Sequence, residues 1–230
     1  IWEYNTSTLL ATTINKAITI KWMVDGVVVS HSQTSNDTPI ATISKDVTFE
    51  GVKFELSTPA DNWMHGIHQT NNAKLTMKDC EINWLIYTYG DTLFDNCTFT
   101  TDSDIYNVYV ALGNVTFNGG TIIGKAGHLV NVFYYGTDTN TYDIVFNGTT
   151  FKNLWVSNKS AINIKEVQDQ DGYYVFKRNI DIKNVNIEWK FPTNKLWGNQ
   201  VWMVDDVIKW LNQDGRVASI EWHAWNTTKI

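Results

Sequence analysis

The sequence predicts an all-β protein that forms a single-stranded right-handed parallel β-helix, with three strands per rung and a cap at each end. Three observations predict this fold. A template of apolar and turn residues recurs six times, further apolar runs follow the templates, and the polar residues are dominated by Asn, Thr and Asp, which suit strands and turns. Hydrophobic residues make up 43% of the 230 residues, which is enough for a continuous core.

Each template reads apolar, any residue, apolar, two turn residues and then alternating apolar positions. Alternation with a period of two is typical of half-buried strands. The templates cover residues 47–54, 75–82, 92–99, 115–122, 144–151 and 180–187. Their bend falls on residues that tolerate a left-handed backbone, so we expect the chain to turn at Gly51, Asp79, Asn96, Gly119, Gly148 and Asn184.

The second apolar runs supply a third strand for each rung. They lie at residues 85–87, 107–110, 130–134, 161–164 and 200–204. The spacing between templates is unequal, which indicates loops of different length between strands that keep their register.

The chain is predicted to be one domain, residues 1–230. Within it, residues 1–16 form an N-terminal cap, 17–204 the rungs and 205–230 a C-terminal cap, because a solenoid must cover both ends of its core. The opening rung is expected at residues 17–20, 27–29 and 40–43. The C-terminal cap is expected to contain a short helix from Asp205 to Leu211, with Asp205 as its N-cap, and a strand from Val217 to Trp222.

The repeat resembles that of pectate-lyase-like right-handed β-helix proteins, phage tailspikes and secreted bacterial surface proteins. Segments such as Asn96-Cys97-Thr98-Phe99 and Asn147-Gly148-Thr149-Thr150-Phe151 are similar to cell-surface solenoids of gut bacteria. The resemblance covers about residues 15–222. It implies an extracellular or cell-surface location, and because the chain begins at Ile1 we expect a trimmed form without its export segment. The motif specifies a fold and not an activity.

Two cysteines, Cys80 and Cys97, occupy the same template position in consecutive rungs. Neighbouring strands lie about 4.8 Å apart, so the two side chains are expected to stack inside the coil. We favour two packed thiols that act as small apolar groups. A disulfide is the alternative, and a catalytic thiol is the least favoured interpretation.

Tryptophan is abundant, with 11 residues, and most of them lie outside the templates. Exposed and aligned rings could bind sugars or a protein surface. The competing interpretation is that the rings fill space between irregular rungs and cover the C-terminal end. The candidates for an aromatic binding surface are Trp63, Trp84, Trp155, Trp189, Trp197 and Trp202.

No catalytic residue and no metal ligand is assigned. His65 and His68 lie three positions apart, which on a strand places them on opposite faces. A calcium loop can be imagined around clustered aspartates, although we interpret them as solvated carboxylates: Asp102, Asp104, Asp169 and Asp171. The adjacent pair Asp205-Asp206 lacks the partner motifs of a glycoside hydrolase.

Charge and hydropathy narrow the classes of partner. The net charge is −6, from 18 basic and 24 acidic residues, which disfavours nucleic acid. No apolar stretch approaches the roughly 20 residues of a membrane-spanning helix. We therefore predict a non-catalytic extracellular module that binds carbohydrate or another cell surface through aromatics, or acts as a spacer. The alternatives are a polysaccharide lyase or glycoside hydrolase of the pectate-lyase-like fold, and an engineered solenoid.

Overall fold

The computed structural model describes residues 12–21, 27–32, 39–57, 65–102, 106–125, 128–133, 140–154, 161–165, 167–168, 174–175, 178–188 and 197–198. Its strands are, in chain order, β1 (Thr12–Ile14), β2 (Ile18–Lys21), β3 (Val27–Ser32), β4 (Ala41–Ile43), β5 (Val47–Glu50), β6 (Val52–Ser57), β7 (His65–Gln69), β8 (Leu75–Lys78), β9 (Glu81–Asn83), β10 (Ile86–Tyr89), β11 (Thr92–Asp95) and β12 (Thr98–Thr100). They continue with β13 (Val108–Leu112), β14 (Val115–Asn118), β15 (Thr121–Gly124), β16 (Val130–Phe133), β17 (Tyr142–Asn147), β18 (Thr150–Asn153), β19 (Ile162–Lys165), β20 (Val167–Gln168), β21 (Tyr174–Val175), β22 (Arg178–Lys183), β23 (Asn186–Glu188) and β24 (Trp197–Gly198).

Three parallel sheets form the coil. Sheet A has the order β1-β4-β7-β10-β13-β16-β19-β24, sheet B has β2-β5-β8-β11-β14-β17-β22, and sheet C has β3-β6-β9-β12-β15-β18-β23. The chain visits A, B and C in turn, so each rung contributes three strands. The predicted all-β parallel β-helix with three strands per rung is thereby confirmed.

A short antiparallel strand pair interrupts the coil, and the predicted caps are only partly described. The strands β20 and β21 form a short antiparallel pair in the connection from β19 of sheet A to β22 of sheet B. Strand β1 pairs with β4 in sheet A, although it lies within the segment predicted as the N-terminal cap. The predicted helix at 205–211, the strand at 217–222 and the cap that they would form lie outside the described residues.

Stacked phenylalanines fill the core beneath sheet B. Alternation in these strands places every second residue inside, and Phe94, Phe117 and Phe146 follow one another in register. Their ring centroids are 5.0 Å and 4.7 Å apart, and the rings are stacked. Phe99, from sheet C, meets Phe94 edge to face at 5.0 Å. Such contacts add to the free energy gained from burying these large rings.

The bend from sheet B to sheet C contains a left-handed residue in each of six described rungs, and in one of them Gly120 follows with a second positive φ of 72°. The backbone φ is 68° at Gly51, 50° at Asp79, 52° at Asn96, 65° at Gly119, 72° at Gly148 and 52° at Asn184. These are the six positions that the template singles out. Glycine has no Cβ to clash in this conformation, and the short side chains of Asn and Asp tolerate it.

Side-chain amides tie neighbouring rungs together beside this bend. Asn96 Nδ2 donates to Asp79 Oδ1 at 2.7 Å. The residues directly before the bend form a second row: Asn118 Nδ2 donates to Asp95 Oδ1 at 2.7 Å, and Asn147 Nδ2 donates to Asn118 Oδ1 at 3.2 Å. The polar residues at the bend therefore also link one rung to the next.

Candidate binding surface

The outer face of sheet A carries a row of uncharged residues in register. The row runs through Gly66, Tyr87, Tyr109, Asn131 and Asn163 on β7, β10, β13, β16 and β19. Most of their described strand neighbours belong to the hydrophobic core, so the alternating row lies on the opposite side of the strands. Within the row Tyr109 is half-buried, whereas the other four residues are buried. We call this row, with the rings that pack around it, the tyrosine face.

Five aromatic side chains make continuous contact on the tyrosine face. Tyr87 and Tyr109 stack with centroids 4.8 Å apart and planes 12° apart. Tyr89 lies 4.6 Å from Tyr87 and meets His68 edge to face at 4.3 Å. Tyr106 meets Tyr109 edge to face at 6.2 Å. Tyr87 is only 4% exposed, whereas the other four rings are half-buried, so a buried central ring supports a partly exposed rim.

A β-bulge on β13 lies beside Tyr89. The register between β10 and β13 shifts after Thr88, so that Tyr89 pairs with Leu112 and Ala111 is left over. The Ala111 N–H donates to Thr88 Oγ1 at 3.2 Å, which satisfies the extra backbone group. Bulges commonly redirect a side chain. Here Tyr89 lies over Gly66, where a built Cβ would collide with its ring.

Two buried asparagines continue the row beyond the rings. Asn163 Nδ2 donates to Asn131 Oδ1 at 2.7 Å, and the two residues are 5% and 3% exposed. The Asn163 Oδ1 atom is buried and accepts no hydrogen bond within the described part of the chain. A buried acceptor of this kind is costly unless water or a ligand satisfies it.

The predicted tryptophan surface is only partly described. Trp84 is half-buried in the connection from β9 to β10, at the corner between sheets C and A, with a buried Nε1 that has no acceptor in the described chain. Trp197 begins β24, where its backbone pairs with Ile162 at the end of sheet A. Trp63, Trp155, Trp189 and Trp202 lie outside the described residues. The tyrosine face is absent from the predicted set, although residues 85–87 and 107–110 place Tyr87 and Tyr109 at equivalent positions in their runs.

The aspartates that the sequence suggests for a calcium loop are only partly described. Among the described residues, no three His, Cys, Asp or Glu side chains form a group that could hold a metal ion. The Asp102 carboxylate lies 3.5 Å from Lys125 Nζ, and Asp104, Asp169 and Asp171 lie outside the described residues. Within the described chain, no helix is long and apolar enough to cross a membrane.

The two cysteines are buried in adjacent rungs as free thiols. Cys80 Sγ contacts the Phe49 carbonyl oxygen at 3.4 Å, and Cys97 Sγ contacts the Met77 carbonyl oxygen at 3.2 Å. The neighbouring Cys80 thiol, together with burial, raises the pKa of the Cys97 thiol. The hydrogen bond between the two thiols lowers the pKa of Cys80, so Cys97 is the thiol that we expect to stay protonated in the folded chain.

This raised pKa predicts a loss of stability in alkaline solution. Below about pH 8.5, the ordinary pKa of a thiol, Cys97 is protonated in both the folded and the unfolded chain, so this thiol does not make the free energy of unfolding depend on pH. Above it the unfolded chain releases the proton while Cys97 retains it, so the free energy of unfolding should fall by up to about 1.4 kcal/mol per pH unit. Urea denaturation from pH 7.5 to 9.5 measures this. In the Cys97→Ala variant the free energy of unfolding should fall less steeply with pH. An identical slope in the two proteins would contradict the raised pKa of Cys97.

Comparison with known proteins gives no relative from which a role could be transferred. No protein-family model, no curated protein and no solved structure matches the chain.

Proposed function

We propose that this chain is a non-catalytic β-helical module that binds a neutral polysaccharide along the outer face of sheet A. The observation that carries the proposal is the stack of Tyr87 and Tyr109, with Tyr89, Tyr106 and His68 around it. A tyrosine combines an apolar ring with a hydroxyl that can donate and accept hydrogen bonds. Sugars present the same combination of apolar patches and hydroxyls.

The order of the row supports an extended ligand. The stacked tyrosines occupy consecutive rungs, so the half-buried rings around them follow the axis of the coil, and a buried asparagine pair continues the row on the next two rungs. Successive rungs repeat about every 4.8 Å. The row itself contains no charged residue, which favours a neutral polymer over an acidic one. Strands hold these side chains more rigidly than loops would.

The resemblance to pectate-lyase-like proteins and the extracellular location remain part of this proposal. Both agree with a polysaccharide ligand, and neither is required by the geometry of the tyrosine face. A carbohydrate is preferred to a protein partner because the half-buried Tyr89, Tyr106 and Tyr109 each combine an apolar ring with a hydroxyl, as sugars combine apolar patches with hydroxyls.

Retention on polysaccharides tests the proposal directly. The chain should be retarded in native gels that contain at least one of soluble cellulose, xylan, starch, glucomannan or galactan. Tyr109→Ala and Tyr89→Ala should each weaken binding about tenfold, equivalent to about 1.4 kcal/mol. Tyr142→Ala is the matched control, because it removes a half-buried tyrosine from sheet B and should leave the retardation unchanged.

Three results would count against the proposal. They are no retardation by any of these neutral polymers, equal losses in the Tyr142→Ala control, and the release of new reducing or unsaturated ends from a polymer. The last result would favour the lyase or hydrolase alternative.

A further inference from the structure

The connection from β9 to β10 is unusually tight. Only Trp84 and Leu85 join the two strands, whereas residues 101–107 make the equivalent connection one rung later. The backbone N–H of Trp84 donates to the Thr100 carbonyl oxygen at 2.8 Å, so the turn stays within the ladder of backbone hydrogen bonds between rungs. To turn this sharply, Trp84 adopts a φ of 85°.

A tryptophan in this conformation is an anomaly. Every other left-handed residue in the described chain is Gly, Asn or Asp. A bulky residue with positive φ costs about 1–3 kcal/mol, and such strain persists mainly at functional sites. Glycine or asparagine would make the same turn at lower cost. The Trp84 side chain is half-buried and packs against the hydrophobic core, which accounts for an apolar residue at this position. Its Nε1 is buried without an acceptor in the described chain, which core packing does not account for.

A groove of about 410 Å³ lies beside this turn. Its floor includes Asn83, Thr100 and Ile123, which follow one another in register on the outer face of sheet C. Leu154, 47% exposed, follows the end of β18 and lines the groove with them. Pockets of about 300–1,000 Å³ hold small molecules. We call this feature the Trp84 groove; the residues that matter here are Asn83, Trp84, Thr100, Asp102, Ile123 and Leu154.

Polar groups are placed around the apolar wall. Asn83 Oδ1 accepts a hydrogen bond from the Leu56 backbone N–H at 2.6 Å, and the half-buried Asn83 side chain lines the groove. The Asp102 side chain is 92% exposed, and its carboxylate lies 3.5 Å from Lys125 Nζ. Because Lys125 compensates the charge of Asp102, the groove does not favour a charged ligand. An apolar wall with amide, hydroxyl and carboxylate groups suits a neutral, hydroxyl-rich ligand.

We propose that the Trp84 groove is a second binding site, distinct from the tyrosine face, that takes a single neutral hexopyranose unit. The apolar face of the sugar packs against the Trp84 indole, Ile123 and Leu154. Its hydroxyls bond to Asn83, Thr100 and the Asp102 carboxylate, which accepts charge-assisted hydrogen bonds. The inference does not depend on the tyrosine face, because the two sites share no residue.

Small glycosides test the groove separately from the polymer-binding face. Saturation-transfer difference NMR with the methyl glycosides of glucose, galactose and mannose should show transfer to at least one of them at millimolar concentration. Trp84→Leu, which keeps apolar bulk but removes the aromatic ring, should weaken that binding at least tenfold. Asp102→Asn keeps the shape of an exposed side chain that the fold does not need, and should weaken binding at least threefold.

The controls separate the two proposals. Tyr109→Ala should leave glycoside binding unchanged, and Trp84→Leu should leave polysaccharide retardation by the tyrosine face unchanged. The proposal is overturned if none of the three glycosides receives saturation transfer, or if folded Asp102→Asn and Trp84→Leu proteins bind as the unchanged chain does. It is also overturned if Tyr109→Ala alone abolishes the transfer.

Discussion

Replacing Phe117 with alanine is expected to lower the free energy of unfolding by about 3–5 kcal/mol. Phe117 is 1% exposed and lies between Phe94 and Phe146 in the stack beneath sheet B. Its loss would remove two stacking contacts and leave a cavity that the hydrogen-bonded rungs on either side cannot close. Urea denaturation followed by circular dichroism measures the change.

Thr116→Ala is the control for this substitution. Thr116 lies on the same strand, points outward and is half-buried, so its replacement should cost less than about 1 kcal/mol. If the two variants unfold at the same urea concentration, the phenylalanine stack does not stabilise the coil as described.

Gly120→Ala is expected to destabilise the chain by about 2–5 kcal/mol, through left-handed strain and a steric clash. Gly120 has a φ of 72°, and a Cβ there would lie 2.8 Å from the Cys97 backbone nitrogen and collide with the carbonyl oxygen of the same residue. The obstacle is backbone in the adjacent rung, which cannot move without breaking its ladder.

The preceding glycine provides a matched comparison. Gly119 has a φ of 65°, but the nearest atom to a built Cβ is 3.9 Å away. Gly119→Ala should therefore cost only the conformational strain of about 1–2 kcal/mol. Gly119→Asn should cost less, because Asn96 and Asn184 occupy the same bend in other rungs. Thermal unfolding of the three variants should rank them in this order, and a Gly120→Ala protein as stable as Gly119→Asn would contradict it.

Much of the fold could be predicted because the core and the bends obey local rules. Alternation identifies inward residues such as Phe94 and Phe117, and a left-handed bend accepts few residue types, as Gly119 and Asn96 illustrate. These constraints act within a few residues of chain and are therefore visible in the sequence. The pairing of rungs follows once the template repeats.

The candidate sites were harder to predict because they depend on register across loops of unequal length. Tyr87 and Tyr109 become neighbours only when the connection at residues 101–107 is placed correctly, and no local rule selects an outward residue. Alternation places Tyr89 on the same face as Tyr87, but it does not show the bulge at Ala111 that changes the partner of Tyr89 on β13. The sequence predicts Trp84 from its residue type alone, whereas the feature that makes it unusual is the two-residue connection between β9 and β10, which depends on where each strand ends.

The separation of rungs from their connections has an evolutionary consequence. Each strand is held by its neighbours in the rungs above and below, so an insertion or deletion between sheets C and A need not disturb the core. Lengthening the Trp84-Leu85 connection would change the groove while β9 and β10 kept their partners. Related coils could thus diverge in ligand preference through loop length alone, under selection that leaves the inward residues unchanged.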